Sequence, residues 1–139
     1  MKWSMPALLA LSALLTGCGG DAPTAPPQQE SAAMETITGQ ALYRERILLK
    51  PGTTMMVALE DVSRADAPAE VISEHRFEIQ GPPPFAFALQ YDPAKLVENH
   101  RYGLRIRIEE GSELRFINDT HIDPFGEGLD QIVLKGVGR

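Results

Sequence analysis

One cysteine, one tryptophan and three histidines are all that this chain of 139 residues offers of the side chains that most often build cofactor and metal sites. A single thiol excludes any disulfide within the chain, so whatever folds is held by its core alone. His75, His100 and His121 lie on different segments, with no pair at i, i+2 or i, i+4, which excludes a zinc-type ligand set from local spacing. Ser63, Ser73 and Ser112 stand in no nucleophile-elbow pattern, and Gly111-Ser112 reads as a hairpin tip. The carboxylate neighbours Glu60-Asp61 and Glu109-Glu110 point to opposite faces of any strand that holds them, so neither forms an acid/base couple by spacing. Asp119, His121 and Asp123, near Asn118 and Asp130, come closest to a cation site and read more simply as an exposed acidic loop. No catalytic residue, metal or cofactor is expected, and the protein is read as a non-enzyme. Its net charge of −6 excludes the basic footprint of a nucleic-acid binder. Aromatics make up 6 % of the chain, few for a sugar-binding platform.

What is present begins at the N-terminus. Lys2 supplies a short positive region and Ala7 to Leu15 an apolar one, too short to span a bilayer as a finished helix. Leu15-Thr16-Gly17-Cys18 resembles the bacterial lipobox, which makes Cys18 the acylated first residue of the processed chain. Residues 1–17 are thus expected to be a cleaved signal peptide, and residues 18–34 the lipidated cysteine with a linker. That linker is rich in Gly, Pro, Ala and Gln and too poor in large apolar residues to offset its ordering entropy. Residues 35–139 are expected to form one folded domain. Processing removes a lysine and no acid, so the mature chain is more acidic still and its membrane attachment must come from the lipid. Gly19, where an aspartate would signal inner-membrane retention, points to the periplasmic face of the outer membrane.

From Glu35 onward the apolar period is close to two. Thr36–Tyr43, Arg44–Pro51, Thr54–Val62, Val71–Ile79, Phe85–Tyr91, Tyr102–Glu109, Leu114–Phe116 and Asp130–Val137 read as seven to eight short strands. The pattern predicts an all-β fold, a single antiparallel β-sandwich with one wet face per sheet. Val71, Phe77 and Ile79 are expected on one buried face. Asp92 caps a turn and a half of helix with Pro93 at its first position, and Pro82 to Pro84 cannot lie in a central strand. For the hairpin around Gly111, a three-residue loop sets Ile108 against Leu114, Ile106 against Phe116 and Arg107 against Arg115.

Several phrases follow one another in a recognisable order: Thr38-Gly39, Tyr43-Arg44-Glu45-Arg46, Pro51-Gly52, Leu59-Glu60-Asp61-Val62-Ser63, Asp66-Ala67-Pro68-Ala69, Pro84-Phe85, Tyr91-Asp92-Pro93, and Asn118-Asp119-Thr120. In this order they resemble the YbaY-like lipoproteins, grouped with the YscW-type pilotins of type III secretion, over nearly all of residues 35–137. The resemblance implies a lipid-anchored β-sandwich without known catalytic activity; pilotins of that type escort a secretin ring to the outer membrane. It implies no particular binding residues.

Arg101, Arg105, Arg107 and Arg115 form the candidate interaction surface, because guanidinium forks suit carboxylates and phosphates. The plainer alternative is cross-strand pairing with Glu109 and Glu113. The expected function is a non-catalytic outer-membrane lipoprotein that binds or helps assemble a secretion-system or other outer-membrane protein. The alternative is an envelope lipoprotein that binds a small ligand or glycan.

Overall fold

The computed structural model describes residues 33–138; the expected signal peptide, Cys18 and nearly all of the expected linker lie outside them. Seven strands follow in order: β1 (Glu35–Tyr43), β2 (Thr54–Asp61), β3 (Glu70–Glu78), β4 (Phe85–Tyr91), β5 (Tyr102–Glu110), β6 (Glu113–Ile117) and β7 (Ile132–Gly136). Two 3-10 turns, Pro93–Lys95 and Leu129–Gln131, complete the regular structure. The first is the expected connector: the Asp92 carboxylate accepts from Ala94 N at 2.9 Å and Pro93 opens the turn.

The strands form one sheet in the order β3-β2-β5-β6-β7-β1-β4, rolled until its ends meet, and not the two-sheet sandwich the alternation predicts. The joint is β7. It pairs antiparallel with β6 at Phe116↔Gly136 and Ile117↔Lys135, and parallel with β1 from Ala41↔Ile132 to Tyr43↔Leu134. The group β3-β2-β5-β6 is thereby continuous with β1-β4, and the apolar faces converge on a single core in a nearly closed barrel. Period-two alternation says that a face is buried; it does not say what the face is buried against.

Within the strands the alternation holds. Phe85, Phe87, Leu89 and Tyr91 of β4 are buried while Ala86, Ala88 and Gln90 are exposed. Tyr102, Leu104, Ile106 and Ile108 of β5 face the core. Tyr43 stacks on Phe116 with ring centroids 4.3 Å apart, closing the core beneath the β6–β7 joint. Gly39 permits a close approach: a Cβ there would lie 2.4 Å from the Leu129 carbonyl oxygen and 2.7 Å from the Phe87 ring.

Three local expectations are corrected. The β5–β6 loop has two residues, Gly111 and Ser112, with Gly111 at φ +64°, the positive value that tight hairpins favour in glycine. Ile108 therefore pairs with Phe116, and Arg115 is the extra residue of a bulge that returns Glu109 against Leu114. A second bulge at Ile72 slips β3 against β2, so Ile72 packs on the core and Val71 is 50 % exposed. Arg44–Pro51 joins no ladder; it is an extended loop in which Ile47 and Leu49 pack on the core and Leu48 is 90 % exposed.

Candidate docking surface

β2 is buried on both sides although one side faces outward. Met56, Ala58 and Glu60 point away from the core and are 7 %, 0 % and 8 % exposed. Long side chains of the flanking strands lie over them. Arg107 of β5 and Arg76 of β3 both register with Met56, and Arg76 Nη2 lies 3.8 Å from its sulfur. Arg105 registers with Ala58 and donates its Nε–H to both oxygens of Glu60, at 3.0 and 3.1 Å. Arg76 in turn reaches Glu109 at 2.6 Å, which holds its guanidinium pKa above the usual value.

Arg107 differs from its neighbours. It makes no ion pair among the described residues, and its Nε is buried without a hydrogen-bond partner. A donor in that condition forfeits hydration and gets nothing back inside the free protein.

The four arginines read from the sequence do not form one stripe. Arg105 and Arg107 share the outer face of β5. Arg115 sits in the β6 bulge, 3.7 Å from Glu113 and 3.9 Å from Glu110, away from Arg107. Arg101 precedes β5 in an exposed loop, where its N–H donates to Ser63 Oγ. Of the expected acid partners, Glu113 does meet Arg115, whereas Glu109 turns to Arg76. Sequence reasoning missed Arg76, because only the β3–β2–β5 order sets it across from Arg107.

Two of the family phrases tie the fold together. Asn118 Oδ1 accepts from Ile106 N at 2.7 Å, and its Nδ2 donates to the Leu104 and Thr120 carbonyls at 3.0 Å. The side chain thus continues the β5 ladder where β6 ends. In the Leu59–Ser63 phrase, Glu60 holds Arg105 and Asp61 accepts from Ser63 N and the His100 ring. Hydrogen bonds from Ser63 first and His100 second keep the Asp61 carboxyl down at about 2. The acidic loop near Asn118 disperses into separate tasks. Asp119 pairs with Lys135, Asp123 accepts from Phe125 N, and the His121 ring packs against Gly103. No three potential metal ligands converge among the described residues.

The geometry is thus that of an all-β module with a buried core, a charged outer face and structural polar ties. Residues 32–133 match the family model described as the type III secretion system lipoprotein chaperone YscW, and the chain belongs to this family. It is also similar to the uncharacterized lipoprotein YbaY of Escherichia coli, with 33 % identity over 94 residues, 67 % of this chain. The chain spans about half the length of that relative, 50 % of it. Among solved structures it is similar to an alternative pilotin from the type II secretion system of Vibrio cholerae. That match has 41 % identity and a TM-score of 0.68 and covers 76 % of this chain and 99 % of the pilotin.

Proposed function

We propose that this protein is an outer-membrane lipoprotein of the pilotin kind. It is acylated at Cys18, stands off the periplasmic face of the membrane on the linker of residues 18–34, and binds a secretion-system or other outer-membrane protein. The observation that carries this reading is the near-complete coverage of a solved type II secretion pilotin at 41 % identity. The arginine face supplies a means: Arg107, half-buried and without an ion pair among the described residues, is flanked by Arg105 and Arg76 over Met56 and Ala58. An acidic side chain of a partner docked there pairs with the Arg107 charge, which no acid of this protein neutralises among the described residues.

The test is crosslinking and mass spectrometry on membranes that carry the tagged, acylated protein. Recovery of a secretin or one abundant outer-membrane assembly, lost in Arg107→Glu, supports the proposal. Cys18→Ser should release a folded domain from the membrane fraction; an unfolded product would contradict the division into tether and domain. Binding of glycan or lipid with no protein partner above background would overturn the pilotin reading in favour of a ligand-binding lipoprotein.

A further inference from the structure

The linker meets the barrel at one end, and that end is apolar at its centre. Glu35 opens β1 opposite Tyr91, the last residue of β4, and β5 begins at the same end with Tyr102. Both tyrosines are buried. Phe125, in the loop that follows β6, caps them, with ring centroids 5.8 Å from Tyr91 and 6.3 Å from Tyr102. The tyrosine hydroxyls hold the surrounding chain. Tyr91 donates to the Glu35 carboxylate, and Tyr102 accepts from Val97 N at 2.7 Å. Phe125 and Val97 are nonetheless 51 % and 53 % exposed, and Met34, one residue before β1, is 53 % exposed at the rim. Large apolar side chains thus stand open to solvent around one aromatic cluster.

Their position says what covers them. Residues 19–34 join Cys18 to this end, and a chain of that length and composition reaches on the order of 20 Å. β1 has 9 residues, so the other end of the barrel lies roughly 30 Å farther along the strand. Leu48, 90 % exposed, stands at that far end, beyond Tyr43. An acyl chain on Cys18 therefore holds the Phe125 end beside the bilayer at high effective concentration, where a small apolar contact suffices. Charge sets the kind of lipid. In the loops that bear Val97 and Phe125, Asp92, Glu98, Asp123 and Glu127 outnumber Lys95 and Arg101. None of these six forms an ion pair among the described residues. Anionic headgroups repel such a surface and zwitterionic ones do not.

We infer that this end of the barrel docks on the zwitterionic phospholipid surface to which the chain is tethered, with Phe125 and Val97 entering the interface. The orientation turns Leu48 and the Arg44–Pro51 loop away from the bilayer and leaves the arginine face, on the side wall, clear for a protein. The inference rests on the acylation at Cys18 proposed above and on no particular partner.

The experiment uses the protein purified from membranes and reconstituted into vesicles of phosphatidylcholine and phosphatidylethanolamine. The one tryptophan of the sequence is Trp3, in the expected signal peptide. Phe125→Trp, Val97→Trp and Leu48→Trp therefore each install a reporter, read against the parent protein as blank. Flotation reports the anchor by itself, and quenching by brominated lipid chains reports contact of each reporter with the interface. Phe125→Trp and Val97→Trp are expected to be quenched and shifted to the blue. The docked form should exceed the free one by about tenfold or more, the order that a half-buried aromatic ring supplies. Leu48→Trp should stay unquenched. Phosphatidylglycerol added to the vesicles should reduce quenching at positions 125 and 97, and salt should restore it. A protein that does not float overturns the Cys18 reading and this inference with it. One that floats with positions 125 and 97 unquenched, or with position 48 quenched as strongly, overturns this inference alone. So does docking that strengthens with phosphatidylglycerol.

Discussion

The two walls of the barrel share a core and differ in almost everything that faces outward. On the β3–β2–β5 wall the outward side chains are Glu74, Arg76, Glu78, Glu60, Arg105, Arg107 and Glu109, and the long ones lie down over β2 until Met56 and Ala58 are sealed. On the β1–β4 wall they are Thr36, Thr38 and Gln40 beside Ala86, Ala88 and Gln90, uncharged and short, and each is exposed. The charged wall covers its backbone with long side chains, while on the uncharged wall β4 meets β3 through side chains, Ser73 bonding the Gln90 carbonyl. Charge on a sheet here serves as a roof as much as a source of ion pairs, and Arg107, whose Nε is covered without an acceptor, belongs to the roof alone.

The largest effect belongs to neither wall. Leu104→Ala, in the core that both enclose, is expected to cost ~2–5 kcal/mol in chemical denaturation, as large-to-small core changes do. A loss below about 1 kcal/mol would mean that the inner layer does not unite the walls. On the uncharged wall, Gly39→Ala forces a methyl group against the Leu129 carbonyl and the Phe87 ring, and a loss of about 1–3 kcal/mol is expected. An unchanged melting curve would show that the Leu129–Gln131 turn is free to move away.

On the charged wall the arginines should separate. Arg105→Met strands the largely buried Glu60 carboxylate and should cost about 1–3 kcal/mol. Acid titration gives the next effect. Asp61 sits at about 2 in the fold against an ordinary 3.8, so its contribution is complete above the ordinary value and is lost as pH falls toward 2. Asp61→Asn should therefore flatten that part of the stability–pH curve; an unchanged acid limb would show that the Ser63 and His100 bonds contribute nothing. The smallest effect is expected for Arg107→Met, which keeps a stem over Met56 and deletes the orphaned donor. Stability should stay within about 0.5 kcal/mol of the parent, the usual range away from special contacts, while partner binding falls. A clear loss of stability would assign Arg107 to the fold and remove it from the docking surface.

By itself the sequence determined most of the extended segments and, away from the bulges, which of their residues face inward, because alternation with period two is a local property of a strand with one buried side. β4, β5 and the Asp92-capped turn are legible on that ground. It also carried the family phrases, though not their purpose. Whether the Asn118 phrase marked a site or a tie depended on β6 ending opposite Arg107, where the side chain finds unpaired β5 backbone. Only the tertiary structure decided that β7 joins two groups of strands into one rolled sheet, that bulges at Ile72 and Arg115 shift the register, and that Arg76 faces Arg107 across Met56. These depend on which strands become neighbours. Pairing distant segments is a choice among backbones whose hydrogen-bonding groups are alike, and it is resolved only when all the apolar faces are buried together.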